Sequence, residues 1–109
     1  MKDTIIVDLD GTLADVQHRL HHVKQKRKDW NSFFQNMHLD PINEWCRTLM
    51  LAMKKEGFRL VLVSGRPDSH EQVTRSWLEE HGVPFDELHM RKDGDFRADD
   101  IVKREILNR

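Results

Sequence analysis

"IIVDLDGTLA", residues 5–14, runs apolar and β-branched up to Asp8, then sets two aspartates one residue apart ahead of Gly11-Thr12. Thr4 to Leu9 is apolar on both faces, which reads as a strand buried on both sides, the pattern of a parallel sheet. Side chains alternate along extended backbone, so Asp8 and Asp10 share one side and Leu9 turns away. Gly11 permits a sharp turn, and Thr12 can cap it. Two carboxylates this close repel each other, and a divalent cation taking oxygen ligands is the simplest compensation. A metal-bound carboxylate can attack phosphorus while its neighbour gives a proton to the leaving oxygen. Taken alone, D-x-D-G-T is also compatible with a solvated turn whose aspartates accept from backbone N–H groups.

Outward from this stretch, the chain alternates helix and strand signals. Residues 15 to 28 are polar and basic, and 15–40 read as a helical insert or small cap. Asp29 is placed to cap a helix carrying Trp30, Phe33, Phe34 and Met37. Asp40-Pro41 has the form of an N-cap with proline at the first helical position. The following stripe is Ile42, Trp45, Leu49, Ala52 and Met53, and Gly57 ends it. "FRLVLVSGRP" (58–67) predicts a second strand stopped by Ser64-Gly65. Asp68 and Glu71 have capping-box spacing for a helix with Val73, Trp77 and Leu78. "DELHMR" (86–91) predicts a third strand and "ADDIVKREIL" (98–107) a last helix. Trp45 and Trp77 fall on stripes facing the sheet and read as core. Short connections and right-handed crossovers make this order a doubly wound, three-layer α/β parallel sheet.

At 109 residues the chain is one domain, with 38% apolar and 34% charged residues, the balance of a soluble globular protein rather than a disordered one. A formal charge of −1 predicts no polyanionic partner from overall charge, so any nucleic-acid contact must come from a local patch. Cys46 is alone, which excludes an intramolecular disulfide. No apolar run approaches the ~18 residues of a membrane span, and Met1-Lys2-Asp3 leads straight into a strand, so a cytoplasmic location is expected.

The second strand strengthens the catalytic reading of Asp8 and Asp10. Ser64 ends it as Asp8 ends the first, and adjacent parallel strands would bring the hydroxyl beside the carboxylates. Backbone N–H groups at Gly65 and Arg66 can hold phosphate oxygens, and Arg66 can bind them in bidentate fashion. Together, Asp8-Leu9-Asp10-Gly11-Thr12, Ser64 after an apolar strand and the later Lys103 resemble the haloacid dehalogenase (HAD) superfamily of aspartate-nucleophile phosphohydrolases. The resemblance implies a Rossmann-like fold, Asp8 as nucleophile, Asp10 as general acid and then base, and Mg²⁺ held by Asp8 and Asp10. It further implies that Ser64 and Lys103 bind the phosphoryl group. "VSGRP", "RKDGDFRADDIVKREI" and Arg19, eleven residues after Asp8, look like the 3′-phosphatase branch found in phage-type polynucleotide kinases. That branch implies a phosphorylated nucleic-acid end or nucleotide as substrate, with Arg19, Arg66, Arg91 and Arg97 on its phosphates. No G-x-x-x-x-G-K-[ST] is present, so no kinase activity is expected.

The family's fourth motif, an acidic pair after a further strand, has no match before Arg109. Asp99-Asp100 follows "GDFRA", which lacks strand character, and reads as a helix N-cap. The resemblance is therefore to a C-terminally truncated member, with a sheet edge open to association with a second copy. "HRLHHVKQKRK" (18–28) reads as a solvated basic helix face, with guidance of a nucleic-acid backbone as the alternative. Trp30, Phe33 and Phe34 read as core or cap packing, with base stacking as the alternative. Without the resemblance, Lys103 would be a surface cation paired with Asp99 at i, i+4. The expected function is Mg²⁺-dependent hydrolysis of a 3′-phosphate. The rivals are a phosphatase of small metabolites or 5′-nucleotides, and a non-catalytic phosphate-binding relative.

Overall fold

β-branched and leucine-rich segments with alternating faces give three strands, Thr4–Asp8 (β1), Arg59–Pro67 (β2) and Glu87–Arg91 (β3), hydrogen-bonded in the order β1-β2-β3 and all parallel. The computed structural model of the chain describes residues 3–24 and 28–108. Lys26 and Arg27 of the expected basic run lie outside the described residues. Among the described residues five α-helices accompany the strands: His21–Lys24 (α1), Trp30–Gln35 (α2), Glu44–Lys55 (α3), Glu71–Glu80 (α4) and Asp99–Leu107 (α5).

Alternation along β2 sets up the three layers. Leu60 and Leu62 face one side and pack with Cys46 and Met50 of α3 and with Trp77 and Leu78 of α4. Val61 and Val63 face the other side and meet Val102 and Ile106 of α5. Each fully buried side chain of this kind contributes about 1.5–3 kcal/mol relative to exposure. The sheet is the parallel α/β arrangement that the order of elements predicted, and the Rossmann-like fold that the resemblance implied.

Several local readings give way to packing. β1 is an edge strand, and α5, on the face that Ile6 shares with Val61, packs on β2 and β3, so Ile6 is 54% exposed rather than buried. β2 runs past Ser64-Gly65 to Pro67, with an irregularity in its pairing to β3 between Ser64 and Pro67. Helix α3 begins at Glu44, not at Pro41, because Ile42 forms an antiparallel bridge with Ala14 and the Asn43 side-chain amide donates to the Thr12 carbonyl at 2.7 Å. Its buried line is Cys46–Met50, with Met53 half-buried, which rotates Trp45 (63% exposed) and Leu49 out of the core. Gly57 does end α3, with φ 95°. The Asp68–Glu71 capping box is absent: Asp68 starts a 3₁₀ turn, and its carboxylate accepts the Asp93 N–H at 2.9 Å. No helix among the described residues is long and apolar enough to cross a membrane.

Candidate active site

Asp8 closes β1, paired with Val63, so Ser64 stands one residue further along the neighbouring strand. Beyond Asp8 the chain folds tightly. The Leu9 carbonyl accepts N–H bonds from Thr12, Leu13 and Ala14, and Gly11 takes φ 83°, a value that side chains with a Cβ rarely adopt. Leu9 is wholly buried, as alternation requires, while the Asp8 and Asp10 side chains keep 39% and 26% exposure. The Ser64 hydroxyl oxygen accepts the Arg66 N–H at 3.0 Å and is buried.

Lys103 reaches this point from α5. Its ammonium ion-pairs with Asp8 Oδ1 and, at 3.0 Å, with Asp99 Oδ2, so this lysine contacts its i, i+4 neighbour and the first aspartate of the motif at once. Burial pulls the Lys103 ammonium down, but the hydrogen bonds and charges of Asp8 and Asp99 outweigh it and hold it above the usual lysine value. Asp99, an N-cap by its sequence, is instead the first residue of α5, and Ala98 holds the cap position with no side-chain cap bond. The Asp99 carboxylate instead occupies the space that a Cβ on Gly65 would need. A side chain at Gly65 would displace that carboxylate.

The arginines assemble differently from a row of open phosphate binders. Arg19 and Arg66 are both 0% exposed. Arg19 donates to Asp40 through Nε and Nη2, each at 2.8 Å, to Asp10 Oδ1 at 3.1 Å and to the Phe33 carbonyl at 3.1 Å. Arg66 donates to Asp10 Oδ1 at 2.7 and 3.0 Å, to Asp40 Oδ2 at 3.1 Å and to Thr74 Oγ1 at 3.1 Å. Two guanidinium groups and two carboxylates therefore balance inside the fold, with Trp77 Nε1 fixing the Asp40 carbonyl at 2.8 Å. Asp10 Oδ1 takes three of these bonds and Oδ2 only one, at 3.2 Å, so the carboxylate is oriented with Oδ2 the less engaged oxygen.

Arg91 donates to the carbonyls of Gly65, Asp95 and Arg97 and so shapes the loop after β3. Arg97 is half-exposed and paired with Asp95 and Glu105. It holds the Asp95 carboxyl down at about 2. Asp8, Asp10, Gly65, Arg91, Arg97 and Lys103 all line one cavity of about 590 Å³. Ser64, Arg19 and Arg66 lie behind that wall. The histidines do not gather: His18 Nε2 lies 2.6 Å from Asp40, and the His21 and His22 rings merely touch. Among the described residues no group of three or more His, Cys, Asp or Glu forms a metal cage.

Two functional candidates escaped the sequence reading, Asp40 and Asp99. Both carried helix-start signatures, and neither signature could reveal a partner on a distant element.

A family model describing the polynucleotide kinase PNKP phosphatase domain matches residues 2–109. The chain belongs to that family. This PNKP-type phosphatase domain superposes on a solved structure of the Pnkp1/Rnl/Hen1 complex with a TM-score of 0.81 at 27% identity, over 99% of its own length and 34% of that chain. A second structure, of the Pnkp1/Rnl/Hen1 RNA repair complex, gives the same score and identity over 98% of the domain and 31% of that chain. The class C acid phosphatase of Bacillus anthracis, with tungstate bound, shares the fold, with a TM-score of 0.72 at 19% identity over 98% of the domain and 47% of that chain. The PNKP-type domain thus spans about a third of the length of the Pnkp1-complex chains it matches. Its fold is that of HAD-type phosphatases.

Proposed function

We propose that the chain hydrolyses phosphomonoesters through a phosphoaspartyl intermediate on Asp8, with a 3′-phosphorylated nucleic-acid end or nucleotide as substrate. The observation that carries this reading is the ion pair between Asp8 and Lys103 at the mouth of a cavity, beside an Asp10 carboxylate oriented by two buried arginines. In the first half-reaction an Asp8 oxygen bonds to phosphorus, the bond from phosphorus to the ester oxygen breaks, and Asp10 gives that oxygen its proton. In the second, water attacks the phosphoaspartate, Asp10 takes the water's proton, and inorganic phosphate leaves as the Asp8 carboxylate is restored. Lys103, charged through its contacts with Asp8 and Asp99, faces the growing negative charge on the phosphoryl oxygens. The Ser64 hydroxyl and the Gly65 and Arg66 amides sit on the adjoining strand, and Arg91 and Arg97 border the cavity.

Magnesium suits the donor set: among the described residues Asp8 meets Lys103 on Oδ1 and the Thr12 hydroxyl on Oδ2, at 3.5 Å, and Mg²⁺ takes one or two carboxylates with waters and phosphate oxygens. When bound by Asp8 and Asp10, it supplies charge neutralisation at the phosphoryl group. The family match and the likeness to a chain of an RNA repair complex support a nucleic-acid substrate.

The test incubates the chain with Mg²⁺ and oligonucleotides phosphorylated at the 3′ or the 5′ end, beside a small phosphomonoester, with Asp8→Asn as control. Phosphate release confined to the 3′ end, and abolished by the substitution, is the expected result. Release from the small ester alone assigns a metabolite phosphatase. Oligonucleotide binding without turnover assigns a binding module.

A further inference from the structure

We infer that the cavity beside Asp8 also seats the terminal nucleobase of the substrate, stacked between Phe96 and the Trp30–Phe34 pair. This deepens the phosphatase reading and rests on it. The cavity of about 590 Å³ that Asp8 and Lys103 border is walled as well by Trp30, Phe34, Pro67 and Phe96. A phosphoryl group needs only a small part of that volume, which lies in the range that takes whole small molecules. The remainder offers rings to whatever the phosphate is esterified to.

These rings are placed for a ligand more than for the core. Phe96 is 94% exposed. Its loop is nonetheless tied on both sides, since Arg91 grips the Asp95 and Arg97 carbonyls and Arg97 clamps Asp95. The ring is therefore held out by an ordered segment. On α2 the aromatic residues divide their work. Phe33 is buried and lies 4.2 Å from the Arg19 guanidinium, which makes it the residue that packs inward. Trp30 stays 49% exposed, against its expected core role, and stacks on Phe34 with ring centres 5.9 Å apart and planes 23° from parallel.

A polar alcohol such as glycerol would gain nothing from exposed π-faces. A nucleobase would, because every base presents a face to stack, whatever its sequence. An anionic phosphoryl group joined through a sugar to a planar base matches a cation-bearing end joined to an aromatic groove.

Binding can be read without turnover by using the full chain carrying Asp8→Asn. Two 3′-phosphorylated oligonucleotides are compared by fluorescence anisotropy, identical except that one ends in adenine and the other in a base-less tetrahydrofuran residue. Stacking of one base predicts roughly tenfold or greater weakening when the base is removed. Adding Phe96→Ala, at a ring too exposed to matter for folding, lowers that ratio towards one, and Trp30→Ala does the same. Equal affinity for the two oligonucleotides, no binding of either, or a ratio unchanged by both substitutions overturns the inference. Phosphate release by the unsubstituted chain is measured alongside: its failure refutes the phosphatase reading, while base discrimination in the binding assay is judged separately.

Discussion

Replacing Asp40 by asparagine removes one negative charge from the interior while keeping its volume. In the folded chain Asp40 is 2% exposed and accepts from both Arg19 and Arg66, whose guanidinium groups have no exposure to water. Asp10 alone would remain to balance two buried cations. Breaking a buried pair by removing one partner costs about 3–5 kcal/mol, because the surviving charge stays desolvated. Asparagine still accepts a hydrogen bond, which points to the lower end, about 3 kcal/mol, against a total of about 5–15 kcal/mol for a domain of this kind. Urea unfolding followed by circular dichroism should show the midpoint falling by about 1–2 M with an unchanged slope. The thermal midpoint should fall by about 10–20 °C. Adding Arg19→Met to Asp40→Asn should recover part of the loss, about 1 kcal/mol or more, since the excess charge then disappears. Phosphate release measured at a temperature where the variant is folded should also fall, because Asp10 shares its orienting arginines with Asp40. A midpoint shift under about 0.5 M, with no coupling to Arg19, would refute the claim that these four charges form one compensated unit.

Gly65→Ala should leave the fold cooperative but displace the Asp99 carboxylate, whose place the new methyl would take. Phosphate release should drop by at least about tenfold as Lys103 loses one of its two carboxylate partners, and steady-state kinetics beside a denaturation curve would separate this from misfolding. Lys103 provides a pH signature. Its folded-state value is raised, so the stabilisation it brings is complete below the ordinary lysine range, near about 10.4, and is lost as pH rises through the higher folded value. Lys103→Met should therefore flatten the alkaline limb of the stability curve above about pH 10, read by urea midpoints along that limb.

The local rules that the sequence obeys are short-range, and where they acted alone they can be read from it directly. Alternation set Asp8 and Asp10 on one side of Leu9 and divided β2 between two helical layers. Gly11 and Gly57 mark positions where the backbone takes a positive φ. The order of strands and helices was enough for a parallel α/β sheet with the carboxylates at its carboxyl edge. Tertiary structure decided the rest, because the deciding interactions join residues far apart in the chain. Asp40-Pro41 carries a helix-start signature, yet two buried guanidinium groups need a counter-ion more than an exposed N–H needs a cap, and the carboxylate goes to them. Arg66 meets Asp10 across 56 positions and Lys103 meets Asp8 across 95, spacings that no periodicity encodes. Trp45, Leu49 and Trp30 look apolar enough for a core, but a helix's rotation follows the surface that it packs against, and here that surface chose Cys46, Met50 and Phe33. Hydrophobic pattern thus determined which segments pack together, and the balance of buried charge determined how the side chains around Asp10 are paired.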